Sequence, residues 1–336
     1  MTLNITLVTP QYIIQASDRR GVSWDGVNKG QPCDDEANKG LVLQADDGIF
    51  AITFTGIASC NGQRTDLRLA EGMLDEGVPE LPVRQGINII ARLATKWFRT
   101  FPTSLDKRHT FVIGGWERSR TKPRAALWTV TNYVAEDGRT PLDSAKDVFD
   151  VQKHAIRPSG GFLLLSGQHD AVSRNDRKRL EAALRAGAHP DRLEMALVDT
   201  VRAAASKAKW ANMINGNVLA ILLAPRGEVR ASHYPSSGNV SRYIPLFAWY
   251  EAGRNYVSGD GWTFGSGTQG YQFGPSMFVR PPSIPAMIPE AKVKFLFRMT
   301  EAKHKREPVG DVSIVRIIEK PQQEWSIPQS IDTNAK

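Results

Sequence analysis

The feature that most constrains this chain is its first twenty residues. After Thr2 comes an apolar, β-branched run (Leu3, Ile5, Leu7, Val8), then a turn at Thr9-Pro10-Gln11. A second run, Tyr12-Ile13-Ile14-Gln15-Ala16, ends in Ser17-Asp18-Arg19-Arg20. Such a pattern folds as strand, tight turn and strand, with charge at its end. The hairpin brings Asp18 back toward Thr2. Thr2 directly follows the initiator Met, so removal of Met1 places a hydroxyl and a free α-amine on one residue. A nucleophile, a base and a charged organiser then share one hairpin.

The whole chain is 336 residues long, enough for one large domain or for a domain of about 230 residues with an appendage. No apolar run reaches the length of about 18 residues that a membrane span needs. The N-terminus lacks the basic segment and continuous apolar core of a secretory signal. Cys33 and Cys60 are the two cysteines, which fits a reducing compartment and a cytoplasmic protein. The net charge of +8 permits acidic partners, but the Lys and Arg are spread along the chain. The densest clusters, at 174–179 and 303–306, read as an exposed helix start and a polar turn between strands, so nucleic-acid binding is not expected. The histidines (His109, His154, His169, His189, His233, His304) show no metal-ligand spacing, and no metal or cofactor is expected. Gly265-Ser266-Gly267 is too short for a phosphate loop, and no Gly-Lys-Ser/Thr follows it. Cys60 has no neighbouring His and reads as an ordinary thiol.

In chain order, a polar surface loop is expected over 21–38, with the acidic pair Asp34-Asp35. A second hairpin spans 41–55 around Asp46-Asp47-Gly48 and ends at Gly56. Helical spacing follows at 65–74 and 83–101. Strands are expected at 110–116 and 124–134, within 146–157, and at 160–167. A second helical pair covers 175–186 and 192–209, and a hairpin covers 218–224 and 229–233. From residue 235 the composition shifts to Gly, Tyr, Trp and Phe over 253–274, then to a proline-rich bridge over 280–289. Strands at 293–298 and 312–318 and a loose polar tail after Lys320 close the chain.

Strands and helices come in blocks, which argues against a doubly wound parallel sheet. The order fits an α+β fold: a four-layer αββα sandwich of two antiparallel sheets flanked by helical pairs, with a β-rich C-terminal extension. The division expected is 1–234 for the sandwich and 235–336 for the extension.

Thr2, Asp18-x-Arg20, Asn38-Lys39 and Phe54-Thr55-Gly56 together resemble the proteasome-like family of N-terminal nucleophile hydrolases. The segments at 111–116, 160–172 and 212–216 resemble its glycine-bearing strands and turns. The resemblance implies a threonine protease or related amidohydrolase acting on a peptide or protein substrate, assembled as a homo-oligomeric ring. It implies that Thr2 supplies the nucleophilic hydroxyl and its own α-amine the general base. It implies further that Lys39 lowers the proton affinity of that group, that Asp18 holds Lys39, and that the Gly56 N–H faces the oxyanion. Ser166 matches a serine near the nucleophile loosely. Two departures stand out. The loop between Arg20 and Lys39 is long for the family, and Asn212 and Asn215 precede Gly216 where active members carry an Asp and a Ser. The absent carboxylate lowers the expected proteolytic efficiency.

Each residue also has an ordinary reading. Asp18-Arg19-Arg20 fits a charged strand end, Lys39 a solvated turn lysine, and Gly56 a strand-ending glycine. A catalytically inactive scaffold of the same fold is the alternative, and a small-molecule acylase is less favoured because no small-ligand pocket is indicated. Base stacking by the aromatic segment is weaker than reading it as a loop-rich appendage.

Overall fold

The computed structural model describes residues 2–22, 31–35, 37–60, 63–118, 122–135, 140–156, 161–225 and 228–237. Beyond these it describes the backbone of strands at 241–242, 246–251, 254–258, 277–279, 294–299 and 312–318. Met1, the stretch at 136–138 where Glu-Asp-Gly predicts a turn, most of the Gly/aromatic segment, the proline bridge, the 303–306 cluster and the tail lie outside the described residues.

In chain order the strands are β1 (Leu3–Val8), β2 (Ile13–Asp18), β3 (Gly21–Val22), β4 (Pro32–Asp34), β5 (Gly40–Ala45), β6 (Gly48–Thr55), β7 (Ser59–Cys60), β8 (Gln63–Arg64), β9 (Thr110–Glu117), β10 (Arg124–Thr131), β11 (Asp150–Lys153), β12 (Phe162–Gly167), β13 (Val218–Leu223), β14 (Val229–Tyr234), β15 (Ser241–Arg242), β16 (Leu246–Glu251), β17 (Arg254–Ser258), β18 (Met277–Val279), β19 (Lys294–Met299) and β20 (Val312–Ile318). Helices α1 (Thr65–Asp75) and α2 (Val83–Arg99) lie between β8 and β9. Helices α3 (Arg174–Arg185) and α4 (Pro190–Ala205) lie between β12 and β13.

Two large sheets result, in the orders β12-β1-β2-β13-β14-β15 and β11-β10-β9-β6-β5-β16-β17-β18. The first is antiparallel throughout. The second contains one parallel pair, β5 with β16 (Leu41 opposite Leu246), against the expectation of purely antiparallel sheets. No hairpin joins β16 to β5, so no tight turn dictates an antiparallel direction.

Alternation along the strands sorts the core into three apolar clusters. In β6, Phe50, Ile52 and Phe54 join Leu69 and Met73 of α1 and Ile87 and Ile90 of α2. Ile49 and Ala51, on the opposite face, meet Val8, Ile13 and Ile221 of the other sheet. Leu3, Ile5, Leu7 and Ile14 point away from that interface and pack with Leu193, Leu197 and Val201 of α4. Strands covered on both faces read as nearly continuous apolar runs, which is why IFAITF carries no polar alternation. At one end the space between the sheets turns polar. Asn4 Nδ2 donates to Thr53 Oγ1 at 2.5 Å, and the Thr110 and Thr131 hydroxyls share a hydrogen bond of 2.7 Å.

Local signals place the helices. Asp47 of the second hairpin turn accepts the Val83 N–H at 2.7 Å, satisfying an orphan donor at the start of α2 and opposing the helix dipole. Ser173 caps α3 through the Asp176 N–H, and Pro190 opens α4. The expected surface loop over 21–38 is only partly that. Gly21 and Val22 pair with Asp34 and Pro32, and Ala37, Asn38 and Lys39 are buried. The Ala37 N–H is held by the Arg19 carbonyl at 2.9 Å, which draws the end of the loop inward. Part of the Gly/aromatic stretch is strand: β17 pairs with β16 and β18. Among the described residues no helix is long and apolar enough to cross a membrane.

Candidate active site

The β1–β2 hairpin sets Asn4 opposite Ser17, so Asp18 arrives level with Leu3. Its Oδ1 accepts the Leu3 N–H at 2.7 Å. Its Oδ2 accepts the Arg20 N–H at 3.0 Å and faces the Lys39 ammonium at 3.4 Å. Lys39, the residue before β5, also donates to the Arg20 carbonyl at 2.6 Å. Lys39 is 1% exposed and Asp18 fully buried, so neither is a solvated charge. Burial pushes the Lys39 amine below its ordinary range, and the Asp18 carboxylate opposes that shift by attraction and hydrogen bonding. One carboxylate thus ties together the residue after Thr2, the bend after β2, and a lysine supplied from another sheet.

Thr2 is buried, with 1% exposure in the chain that carries Met1. Its carbonyl accepts the Gln168 N–H at 2.9 Å. Gly167 sits against the same carbonyl with φ +75°, and a Cβ there would lie 1.9 Å from the Thr2 oxygen. Ser166 pairs opposite Asn4 across β1 and β12. Among the described residues the Ser166 and Ser17 hydroxyls and Asn4 Oδ1 are buried without a hydrogen-bond partner, a polar patch beside Thr2.

Gly56 follows β6 with φ +112° and lines a cleft of about 160 Å³ together with Gly21, Asn38, Ile57, Arg64 and Asp66. Asp66 is buried beneath it, accepting from Asn38 at 2.7 Å and from Arg64. Of the sequence-derived candidates, the structure joins Asp18 and Lys39 directly and puts Thr2 one residue from Asp18's partner Leu3. Gly56 is on the cleft, Ser166 lies beside Asn4, and Thr2, Asp18 and Lys39 are not among the residues lining the cleft.

The late asparagines have different settings. Asn212 is exposed, whereas Asn215 is buried, accepts the Arg19 N–H at 3.1 Å and donates to the Asp35 carbonyl at 2.9 Å. Asp35 also forms a two-pronged pair with Arg20, at 2.6 and 3.0 Å, and that guanidinium holds its carboxyl below the usual range. Sequence reasoning missed this Arg20–Asp35–Asn215 clamp, because an acidic pair in a polar loop carries no mark of its partner.

Two histidines also escaped it. Burial pushes His109 from its ordinary 6.5 down to about 3, and burial with help from Arg19 pushes His233 down to about 4. As the pH falls, the unfolded chain takes up these protons first. Their contribution to stability is therefore complete above 6.5 and is lost as the pH drops toward about 3. Urea midpoints measured from pH 7 to 4 should fall, and His109→Asn should flatten the fall. A wild-type midpoint that does not move would contradict the buried, neutral state.

No family model matches the chain, and no curated protein matches it. Its fold is similar to that of several solved structures at low identity. The Anbu (Gly-1) mutant from Hyphomicrobium sp. strain MC1 is 10% identical, with 72% of this chain and 86% of that one covered and a TM-score of 0.44. Anbu, an ancestral beta-subunit, from Yersinia bercovieri is 10% identical over 66% and 81%, with a TM-score of 0.43. The Anbu complex from Pseudomonas aeruginosa, described as a helical assembly, is 10% identical over 70% and 88%, with a TM-score of 0.47.

Proposed function

We propose that this chain is an N-terminal threonine hydrolase of peptide or protein amide bonds, active after removal of Met1, on a four-layer αββα fold of the N-terminal nucleophile type. The observation that carries the reading is the buried Asp18–Lys39 pair at the foot of β1. A desolvated lysine has a cost that a merely structural site rarely accepts, and perturbed amines of this kind gather where chemistry is done. With Met1 gone, the Thr2 hydroxyl attacks the substrate carbonyl and its proton passes to the α-amine, directly or through water. A free α-amine titrates near about 8, so a useful fraction is neutral at pH 7. Lys39 lowers the proton affinity of the attacking group by its charge, and Asp18 fixes that charge in place. The Gly56 N–H stabilises the oxyanion. The adduct collapses as its C–N bond breaks, and the departing amine takes the proton from the α-ammonium. Water, deprotonated by the same α-amine, then hydrolyses the acyl ester on Thr2. Residues 1–234 form the hydrolase unit in this reading, and 235–336 form an extension in which β15 adds to the edge of one large sheet and β16–β18 to the edge of the other. A homo-oligomer is part of the proposal; a monomer in light scattering would remove it.

The test is labelling by a β-lactone probe of protein whose Met1 has been removed. Thr2→Ala should abolish labelling and Thr2→Ser should retain it; equal labelling of Thr2→Ala would refute the assignment.

The second reading is a catalytically inactive scaffold. It is favoured by the burial of Thr2 outside the cleft, by the exposed Asn212 standing where a carboxylate was expected, and by Asn215 serving as a structural clamp where a serine was expected. Intact mass decides between them: Met1 retained on protein from its native host blocks the amine and leaves the scaffold.

A further inference from the structure

His109 precedes β9 and takes no part in the nucleophile chemistry above. It is fully buried. Its Nδ1 accepts the Ile57 N–H at 3.2 Å. Its ring stacks on Phe54 at 5.5 Å and is enclosed by Phe98 at 4.8 Å, Phe111 at 4.4 Å and Phe149 at 6.3 Å. The backbone beneath it is fixed as well: the His109 N–H donates to Asn132 Oδ1 at 2.8 Å, and its carbonyl accepts from Asn132 N–H and the Thr131 hydroxyl. Inside this aromatic shell the one hydrogen bond that His109 Nδ1 makes among the described residues runs to the residue after Gly56.

That bond has a geometric consequence. The peptide between Gly56 and Ile57 is trans and planar, so its N–H and C=O point to opposite sides. Holding the Ile57 N–H toward the ring turns the Gly56 carbonyl away from it. Gly56 itself backs onto the histidine: a Cβ at Gly56 would meet the Arg108 carbonyl and His109 Nδ1, both at 2.6 Å. The far side of the same loop is held by the Thr65 hydroxyl, which donates to the Ile57 carbonyl at 2.6 Å. His109 and Thr65 therefore grip Ile57 from its two ends, and Gly56 and Ile57 line the cleft.

We propose that His109 is a positioning residue: its Nδ1 sets the orientation of the Gly56–Ile57 peptide lining the cleft, and so the backbone conformation of Gly56, whose own N–H, on the preceding peptide, meets the substrate carbonyl. The role rests on the reading of Gly56 as part of an acylation site. It requires His109 to be neutral with its proton on Nε2, since a protonated Nδ1 is a donor and would face the Ile57 donor.

The test compares His109→Phe, which fills the space without an acceptor, with His109→Asn, whose Oδ1 takes the place of Nδ1. Both are made in the full chain with Met1 removed. Amide exchange at Ile57 and the rate of acylation by the β-lactone probe are measured in each. His109→Phe should lose Ile57 protection and acylate about tenfold more slowly or worse, with probe affinity less affected. His109→Asn should keep protection and recover acylation to within about threefold of wild type, although its smaller side chain makes it less stable. A folded His109→Phe protein with Ile57 still protected, or acylating at the wild-type rate, overturns the proposal. If His109→Phe does not fold, His109→Gln replaces it; Gln carries its acceptor farther out and should lose protection where Asn keeps it. If the wild type itself is not acylated, the hydrolase reading fails, and Ile57 exchange alone decides whether His109 positions the loop.

Discussion

Lys39→Met will give a protein that is markedly less stable and acylates about 10²–10³-fold more slowly, the range lost when one fixed electrostatic stabiliser of the reacting groups is removed. Methionine keeps the length and the packing of the stem, so what is lost is the charge. Asp18 is then left fully buried, with the N–H groups of Leu3 and Arg20 but without its cation. Breaking a buried pair on one side costs about 3–5 kcal/mol, because the remaining charge is uncompensated. The pH dependence gives a second signature. Burial lowers the Lys39 amine below its ordinary 10.5, so over that interval the unfolded chain holds more protons than the folded one. The lysine's contribution to stability therefore rises as the pH climbs through the interval, and Lys39→Met should abolish that rise. Urea melts from pH 7 to 10.5 and acylation kinetics on the same samples check both parts. A folded Lys39→Met protein that acylates normally would leave the lysine a purely structural role.

The second large effect is expected at Gly167. Alanine there must hold φ +75°, a left-handed conformation costing about 1–2 kcal/mol, and must fit a methyl group 1.9 Å from the Thr2 carbonyl oxygen. Backbone atoms cannot rotate away as side chains do, so the end of β12 must shift off β1. The total loss should reach about 3 kcal/mol or more, with acylation falling as Thr2 is displaced. Gly187 provides the control. It has φ +60° and, among the described residues, nothing within 4 Å of an added Cβ, so Gly187→Ala should cost only the conformational part, about 1 kcal/mol. Thermal and urea unfolding of the two variants side by side measure the difference. Equal losses would mean that contact with Thr2 contributes nothing.

The hairpin that opens the chain was legible because its signals are local. Thr9 fixes the turn through the Tyr12 carbonyl, alternation fixes the faces, and the turn then fixes that Asp18 stands level with Leu3. The helices were legible for the same reason, their boundaries falling within a few residues of the spacing-based expectation; the 192–209 helix stops earlier, at Ala205. The short strands β3, β4, β7 and β8 were not. Two or three residues show no period, and they exist because of the pairing across the loop. Strands β15, β16 and β18 were not expected, and β17 lay in the 253–274 stretch where Gly and aromatic residues suggested a loop. What admits β16 is the edge of β5, and an open edge is a property of the assembled sheet.

The sequence alone determined the order of the four helices and the longer strands up to β14, the register of the first hairpin and the identity of the groups that chemistry could use. Tertiary structure alone decided what those groups are. A lysine before a strand reads the same whether solvated or buried; packing of one sheet on the other removes Lys39 from water and brings its ammonium to Asp18, 21 residues away in the chain. His109 carries no sequence mark, yet four phenyl rings and the Ile57 N–H, 52 residues distant, make it a neutral acceptor. Local propensity acts between neighbours and can be read from spacing. Desolvation, charge pairing and hydrogen bonding between distant residues depend on which surfaces meet, and the fold sets that.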